Sequence, residues 1–535
     1  MLHRKEFESN ILGVFNDFTN ICMCPGYYTL DTFLAALIAT TEELRDRPLW
    51  VTVRSVTIAP IMLSLFLMLL PLTLFGFIVS RILQTYFRNN YVYSENMANM
   101  CSDMDYFKGR DLTIGTANVC LLPEFLSRVN NLSNLYSRAQ KMGAKIASHQ
   151  LDLQCKNYRS DTSNGIHYSQ KELNGYIQKH ASMNGAGDVP YTNSNHNQCK
   201  QNHNQHNLNQ HNLNNETNQV DFDHNVLTSF PQLDILCIQE TWNKGAARSF
   251  ARELHRYFPF IIYDAYVHGW TINKLSGTSG LMIASKHPIL DAKFEYFKSS
   301  VSQDVLSSKG LLMVKVDLGL KSGTNKRVIG YASTTHMQAY QNQLQESDSD
   351  TVHHQQLSEV ASWTRCFRDN TFSPESEIIA FDVLTGDFNL DNMSPVDKED
   401  YEHTLFDDYR DVVRIRPGLD HPWSKGTEMR HIPLYDTQVS TAEGLKEALE
   451  DPYMLQHHVL DADVESATLD MCTWMPKRDD NGNPILSKVG GRRRIDYLLY
   501  RNEDNLRVTS YNFVTQLAKL TDHIPVSFTF SSDIS

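Results

Sequence analysis

The stretch EIIAFDVLTGDFNLDN, residues 377–392, runs from a β-branched apolar segment straight into a cluster of acids and amides. Its apolar, β-branched part predicts a strand over 377–388, with Asp387 and Asn389 at its carboxyl end. The same ending recurs along the chain. DLTIGTANV (111–119) closes near Asn118, LDILCIQE (233–240) on Glu240, and RVIGYASTT (327–335) leads into His336. Asp496 lies inside RRRIDYLLY (492–500), and the pair Asp522 and His523 precedes the last strand, IPVSFTF (524–530). GLLMVKVDL (310–318) adds a further strand, while 246–257 and 355–368 have helical periodicity. Mixed strands and helices of this length predict a layered α/β or α+β domain. A single acid at a strand end is ordinarily a cap or a solvated turn. A whole set of carboxylates, amides and imidazoles is a candidate site. Oxygen ligands without cysteine suit a hard cation such as Mg²⁺, with Mn²⁺ as the alternative, and histidines with acids to orient them suit proton transfer.

The N-terminal region has a different character. No charged side chain occurs from Ser55 to Ser80, and VTIAPIMLSLFLMLLPLTLFGFIV is almost wholly apolar. A bilayer core needs roughly 20 such residues, so the stretch is long enough to span, although Pro60 and Pro71 disfavour a straight helix. A weaker apolar stretch, 11–41, carries Asp17, Asp31 and an expected break at Pro25-Gly26. The pair predicts a membrane-inserted hairpin, or one span beside an interfacial helix. Arg45, Arg47 and Arg54 precede the strong segment, and Arg81, Arg88, Lys108 and Arg110 follow it. Positive charge on both flanks suits a segment that enters and leaves by one anionic leaflet. Cys22 and Cys24 beside the first segment are candidate palmitoylation sites.

Four regions result: a membrane-associated region (1–90); a juxtamembrane segment (91–159) with the first catalytic strand and a basic helix; a low-complexity linker (160–225); and a catalytic domain (226–535) that includes strand 111–119. The basic helix is expected over about 123–156, with Leu126, Val129, Leu132, Leu135 and Tyr136 on one side and Arg128, Arg138, Lys141 and Lys145 as its charges. The linker is Asn, Gln and His with almost nothing to bury, so disorder is expected. Its His196, Cys199, His203, His206 and His211 lack the second cysteine pair that would close a structural metal site. Residues 400–490 contain few clear strands and are expected as a large insertion.

Composition bounds the function. With 49 Lys and Arg against 62 Asp and Glu, the formal charge is −13. That balance disfavours nucleic acid, whose phosphates require clustered cations. Apolar residues at 41% and aromatics at 10% supply a large core, which excludes disorder of the whole chain. Nine scattered cysteines do not form a secreted disulfide framework and suit a reducing, cytosol-facing compartment. Sequons occur at Asn131, Asn215 and Asn392; a glycan on Asn392 would crowd the proposed site, which also favours a cytosolic catalytic domain.

TANVCLLPE (116–124), ILCIQETW (235–242), SGLMIASKHPI (279–289), STTHMQA (333–339), LTGDFNLDN (384–392), RRRIDYLLY and LTDHIPV (520–526) stand in one order. That order resembles the magnesium-dependent endonuclease/phosphodiesterase superfamily with the DNase I-like fold. Together with TANVCLLP, the apolar N-terminal pair and the long linker, it resembles the neutral sphingomyelinases within that superfamily. The resemblance implies an α+β fold: a DNase I-like four-layer β-sandwich flanked by helices, with an N-terminal hydrophobic membrane region. It implies hydrolysis of sphingomyelin to ceramide and phosphocholine, anionic phospholipid such as phosphatidylserine as activator, and a place on the Golgi or the inner leaflet of the plasma membrane. It implies that Glu240 binds Mg²⁺ with Asn118 as ligand or neighbour, and that Asp387 and Asn389 contact the scissile phosphate and attacking water. It implies His523 as general base, Asp496 orienting an imidazole, Asp522 shaping the metal side, and His336 stabilising the phosphate or assisting the leaving oxygen. Fold alone does not fix substrate. A nucleic-acid or inositol-phosphate phosphodiesterase of the same fold, or an inactive membrane scaffold, are the competing readings.

Overall fold

The computed structural model describes residues 2–97, 106–107, 109, 111–163, 222–266, 278–339, 348–464, 469–470, 475–504, 506–532 and 534. Met1–Leu151 with Phe222–Ser535 form one compact unit, and Asp152–Asp221 a second. Most of the linker, with its histidines, Cys199 and Asn215, lies outside the described residues, as do Lys108 and Arg110.

In chain order the first strands are β1 (Val92–Glu95), β2 (Tyr106–Phe107), β3 (Leu112–Asn118), β4 (Asp223–Leu227), β5 (Ile235–Gln239), β6 (Phe260–Tyr263), β7 (Met282–Ser285) and β8 (Ile289–Tyr296). Then come β9 (Gly310–Lys321), β10 (Arg327–His336), β11 (Glu377–Asp387) and β12 (Tyr409–Asp411). Two small hairpins follow, β13 and β14 (Arg414–Arg416, Leu419–Asp420) and β15 and β16 (Leu469–Asp470, Met475–Pro476). The last strands are β17 (Asp496–Arg501), β18 (Arg507–Val514) and β19 (Val526–Ser531).

They form two large mixed sheets. One has the order β1-β6-β7-β5-β3-β19-β18-β4, the other β12-β17-β11-β10-β9-β2 with β8 also on β9. Side chains alternate across each strand, so each sheet offers an inner and an outer face. Ile114, Cys237 and Ile283 meet Val314, Val383 and Leu498 between the sheets. The outer face of the first sheet packs Leu236 and Ile238 against Met142, Ile146, Phe250 and Leu254 of the Leu135–Ser163 and Lys244–Leu254 helices. The outer face of the second packs Tyr331 and Leu384 against Leu357, Val360 and Phe367 of the Asp348–Thr371 helix. The result is the layered α+β, DNase I-like sandwich. The described residues of 400–490 hold only short strands, yet Leu434, Val439, Leu445 and Leu449 join the inter-sheet core.

The single helix expected over 123–156 is two, Glu124–Val129 and Leu135–Ser163. Asn131 and Asn134 between them take φ of 59° and 60°, the left-handed region that asparagine tolerates. Leu132 and Leu135 are buried while Val129 and Tyr136 are exposed, so these residues do not share a face. Nor are all its arginines solvent charges. Arg138 is buried and donates to the carbonyls of Ser133, Cys120 and Leu520.

At the N-terminus, the Asn10–Leu37 helix runs unbroken through Pro25, contrary to the break expected there. A proline removes one helix donor, but close packing offsets the loss: a Cβ on Gly26 would lie 1.9 Å from Thr73 Oγ1 of the facing helix. That partner is the continuous 40-residue helix Pro48–Phe87, apolar and long enough to cross a membrane. A π-turn at Arg54–Ile58 widens it just before Pro60, where the next donor is missing. The helices are antiparallel and meet again at Gly76, where a Cβ would come within 2.9 Å of Cys22 Cβ. Small residues permit such close helix contacts in membranes. Cys22 is therefore buried and out of reach of an acylating enzyme, whereas Cys24 is exposed. Ile11, Phe15, Phe18, Leu67, Met68 and Phe75 form the bare apolar outside of the pair, a surface that a membrane would cover.

Both ends of this helical pair are fixed to the sandwich. At one end Asp31 accepts the backbone N–H groups of Glu124 and Phe125, and Glu43 takes hydrogen bonds from both Arg54 and Arg128. At the other end Arg88 pairs with Asp264, and Lys244 and Arg248 pair with Glu6. Burial alone would raise the Glu43 carboxyl, but the Arg128 and Arg54 guanidiniums override it and bring it down to about 2. Stability from Glu43 is therefore full above its ordinary value of 4.5 and is lost as the pH falls from there through about 2. Glu43→Ala should cost about 3 kcal/mol at pH 7, because it takes the carboxylate from the largely buried Arg54 and leaves Arg128 with Glu124 alone. Thermal unfolding of full-length protein in detergent checks this, and equal stability of parent and variant would show that the clamp does not form.

Candidate active site

The strand ends converge because of sheet register. In the second sheet His336 at the end of β10 is the parallel partner of Asp387 at the end of β11, which is in turn opposite Asp496 at the start of β17. In the first sheet Asn118 ends β3 beside Gln239, so Glu240 emerges at the same edge. Gly386 permits the approach of β11 to β10: its φ is 137°, and a Cβ there would lie 2.1 Å from the Thr335 carbonyl oxygen. Glu240 and Asn389 hold φ of 61° and 52°, a strain that recurs at functional sites.

Asn118 links the sheets. Its Nδ2 donates to Asp387 Oδ2 at 2.9 Å, while its Oδ1 accepts from Cys120 N. Below it, Gln239 Nε2 donates to Thr116 Oγ1 of its own sheet and to Thr334 Oγ1 of the other, at 2.9 and 2.7 Å. His336 Nε2 stands 3.7 Å from Glu240 Oε1 and 3.6 Å from Asp387 Oδ2. Its Nδ1 is buried with no hydrogen-bond partner. Asn389 N donates to Asp387 Oδ1, and its Nδ2 to the Met337 carbonyl. His523 Nδ1 is 2.9 Å from Asp496 Oδ2, and its Nε2 is 4.0 Å from Asp387 Oδ2. Asp522 accepts from Asn130 Nδ2 at 2.9 Å and lies 3.6 Å from His431 Nε2. All eight expected residues thus gather at one edge of the sandwich, in two overlapping groups: Glu240, His336, Asp387, Asn389 and Asn118 on one side, and Asp496, Asp522 and His523 on the other.

Burial, and then Asp522, push the Glu240 carboxyl up. Burial also raises Asp387, and with Asp496 and Glu240 adding repulsion it reaches about 7. His336 is held well below its ordinary range by burial and by Lys309 and His523. Burial would lower His523 as well, but Asp496, Asp387 and Asp522 outweigh it and hold it well above. A buried, carboxylate-rich edge whose acids repel one another fits a divalent cation. Glu240, His336 and Asp387 present ligand atoms within 4.8 Å of one another. Asn118, expected beside Glu240 at the metal, donates to Asp387 and also lies by the Glu240 carboxyl, which its side chain helps to hold down against burial.

Several further side chains support the site. Lys309, 4% exposed, donates to Asp304 and to the Met337 carbonyl beneath the site. Thr427 Oγ1 accepts from the N–H groups of Ile495 and Asp496, fixing the start of β17. Trp242, within the ILCIQETW stretch, lies 6.2 Å from the His336 ring. Thr427 carries no local signal, because its partners Ile495 and Asp496 are distant in sequence. Asn392 and Asn131 are both buried with their Nδ2 groups engaged, Asn392 by Asp420 and Asn131 by Thr41 and the His431 carbonyl.

Residues 205–523 match the Endonuclease/Exonuclease/phosphatase family, and residues 12–86 match the neutral sphingomyelinase N-terminal transmembrane region. The chain belongs to the endonuclease/exonuclease/phosphatase family, as a membrane-anchored phosphodiesterase with a DNase I-like sandwich. More narrowly, it is homologous to the sphingomyelin phosphodiesterases. It is 28% identical to sphingomyelin phosphodiesterase 3 of Mus musculus, over 98% of each chain, and 31% identical to sphingomyelin phosphodiesterase 5 of Danio rerio, over 95% of this chain and 94% of the relative. Among solved structures, a magnesium-bound beta toxin variant from Staphylococcus aureus aligns with 79% of this chain and 100% of its own, at 14% identity and a TM-score of 0.38.

Proposed function

We propose that this phosphodiesterase hydrolyses sphingomyelin to ceramide and phosphocholine, with Mg²⁺ as the cation at Glu240. The observation that carries the reading is similarity to sphingomyelin phosphodiesterases 3 and 5 along nearly the whole chain, apolar N-terminal region included. In this reading His523 removes the proton from water. Asp496 holds its Nδ1 and so directs Nε2 toward Asp387. Asp387 and Asn389 position the water and the scissile phosphate, and His336 faces the phosphoryl or leaving oxygen. Asp522, held well below the carboxylate range against burial by His431 and His523, stays ionised and shapes the cation's side of the cleft. A divalent cation held by Glu240, with His336 and Asp387 in reach, would counter the charge on the phosphoryl oxygens and ease loss of the His523 proton.

The deciding experiment is Mg²⁺-dependent hydrolysis by purified full-length protein of sphingomyelin, phosphatidylcholine and DNA side by side. Preferred turnover of sphingomyelin is expected; equal or greater turnover of DNA would overturn the reading. Glu240→Gln should chiefly raise the Mg²⁺ concentration needed for half-maximal activity, because it deletes a ligand charge. An unchanged Mg²⁺ requirement would make Glu240 structural.

The reading extends to the membrane. Arg54 and Arg88, expected to meet anionic headgroups, are buried in ion pairs with Glu43 and Asp264, and Arg45 is engaged by Asp46 and the Tyr435 carbonyl, so exposed Arg47 is the better candidate for a lipid such as phosphatidylserine. Because both ends of the helical pair are tied to the sandwich, we place the pair within one leaflet, on the cytosolic side of Golgi or plasma membrane. Single cysteines at Trp50 and Tyr86, in a background lacking the native exposed thiols, should react with an impermeant reagent from the same side of sealed vesicles. Labelling from opposite sides would establish a full span.

A further inference from the structure

A second set of metal-ligating side chains lies outside the catalytic edge. The Pro452–His458 helix ends on His457 and His458, and Asp436 directly follows the Ile432–Tyr435 turn. His457 Nε2 and His458 Nε2 each stand 3.6 Å from Asp436 Oδ2, and ligand atoms from all three residues lie within 4.8 Å of one another. Two ligands bound at ~2.0–2.1 Å to one tetrahedral ion are about 3.3–3.4 Å apart. Each histidine is therefore already close to the spacing that a shared ion with Asp436 demands.

His458 is the informative residue. Its side chain is 0% exposed, and its Nδ1 lies 2.9 Å from the Met454 carbonyl oxygen one helical turn earlier. A carbonyl can only accept, so Nδ1 carries the hydrogen, and the neutral ring presents a bare lone pair at Nε2. That atom is buried and has no hydrogen-bond partner. The ordinary alternative is an imidazolium donating from Nε2 to Asp436, but at 3.6 Å that bond is not made, and full burial disfavours the charged ring. An imidazole fixed through one nitrogen to a backbone carbonyl, with the other free, is the usual state of a metal ligand. Asp436 and His457 are 39% and 29% exposed, so solvent can complete the coordination.

From this juxtaposition we propose that Asp436, His457 and His458 bind one transition-metal dication of the zinc class, with water in the remaining position. Two imidazoles and one carboxylate favour such an ion over Mg²⁺, which prefers oxygen ligands throughout. The site ties the helix to a segment with two other attachments. At its start His431 faces Asp522 of the catalytic edge, and along it the carbonyls of Ile432 and Tyr435 accept from Thr41 and Arg45 of the membrane-proximal region. The cation would pin that segment between the two.

The test is Zn²⁺ binding by full-length protein in detergent micelles under saturating Mg²⁺, read by calorimetric titration and by the Zn²⁺-induced shift in Tm. The parent, Asp436→Asn/His457→Gln, His458→Gln and Glu240→Gln are compared. Both Asp436/His457/His458-site variants should weaken one Zn²⁺ equivalent by at least ~10-fold, the scale on which even an outer partner of a metal ligand counts, and lose the Tm shift. Glu240→Gln should retain both. Asp436 and His457 reach the surface, so the double variant keeps its fold even if His458→Gln does not. The proposal is overturned if the double variant binds Zn²⁺ as the parent does, which would place the metal elsewhere, for example on the histidine-rich 196–211 stretch. It is equally overturned if the parent shows no such equivalent.

Discussion

His523→Ala should lower phosphodiester turnover by about 10² to 10⁴ while the protein stays folded, the range for loss of a positioned general base. The side chain is 8% exposed and its Nδ1 is held by Asp496 at 2.9 Å, so the ring has little freedom to serve any other purpose. Asp387→Ala should fall as far, since it removes the carboxylate that joins Asn118, His336 and the Nε2 face of His523. Asp496→Asn offers a finer reading. Against the effect of burial, Asp496 is the foremost group holding His523 above its ordinary range. Removing its charge should therefore move the acid limb of the kcat/KM profile to lower pH. Turnover across pH, with circular dichroism as the folding control, checks all three, and near-parental activity of folded His523→Ala would remove it from the chemistry.

Arg494→Met should prevent accumulation of folded protein or lower its Tm severely. Arg494 is fully buried and pairs with Asp411 at 2.6 Å and Asp420 at 2.9 Å, with its guanidinium 4.3 Å from the Tyr497 ring. Asp420 also accepts from Asn392, which anchors the loop after β11. Without the guanidinium, two carboxylates remain buried and unpaired, at a cost of about 3–5 kcal/mol or more, set against a total stability of about 5–15 kcal/mol. Arg494→Lys should be intermediate, because an ammonium cannot serve both acids with a planar fork. Adding Asp411→Asn and Asp420→Asn to Arg494→Met should recover part of the loss. Thermal unfolding measures each, and parental stability of Arg494→Met alone would contradict the buried-charge account.

Much of the candidate site is legible in the sequence because β3, β5, β10, β11 and β17 are covered on both faces. Such strands read as nearly continuous apolar runs, and a polar residue at their ends stands out. The same coverage hid other features. β6 and β7 are four residues each, too short for a pattern to separate them from buried loop. Arg54, Arg88, Arg128 and Arg138 read as charges for solvent or lipid, since spacing along one segment cannot reveal a carboxylate or carbonyl supplied from far away. Pro25 was expected to end a helix because local rules set its cost, whereas the Gly26–Thr73 contact that offsets it is tertiary. Within RRRIDYLLY the acid stands out at a strand end, whereas Arg494, two residues before it, does not. Its role depends on Asp411 and Asp420, which lie in the stretch expected as an insertion.

The Gln239 amide has one further meaning. Apolar packing between the sheets fixes their separation but is nearly indifferent to sliding, because dispersion has no preferred direction along a strand. The link from Gln239 to Thr116 and Thr334, and above it the one from Asn118 to Asp387, supply what packing lacks: a detent along the sliding coordinate. Half of the candidate site residues ride on each sheet, so a slip of one residue would leave the core filled and the proposed chemistry out of phase. Alignment, as distinct from cohesion, rests on a few polar atoms at the seam.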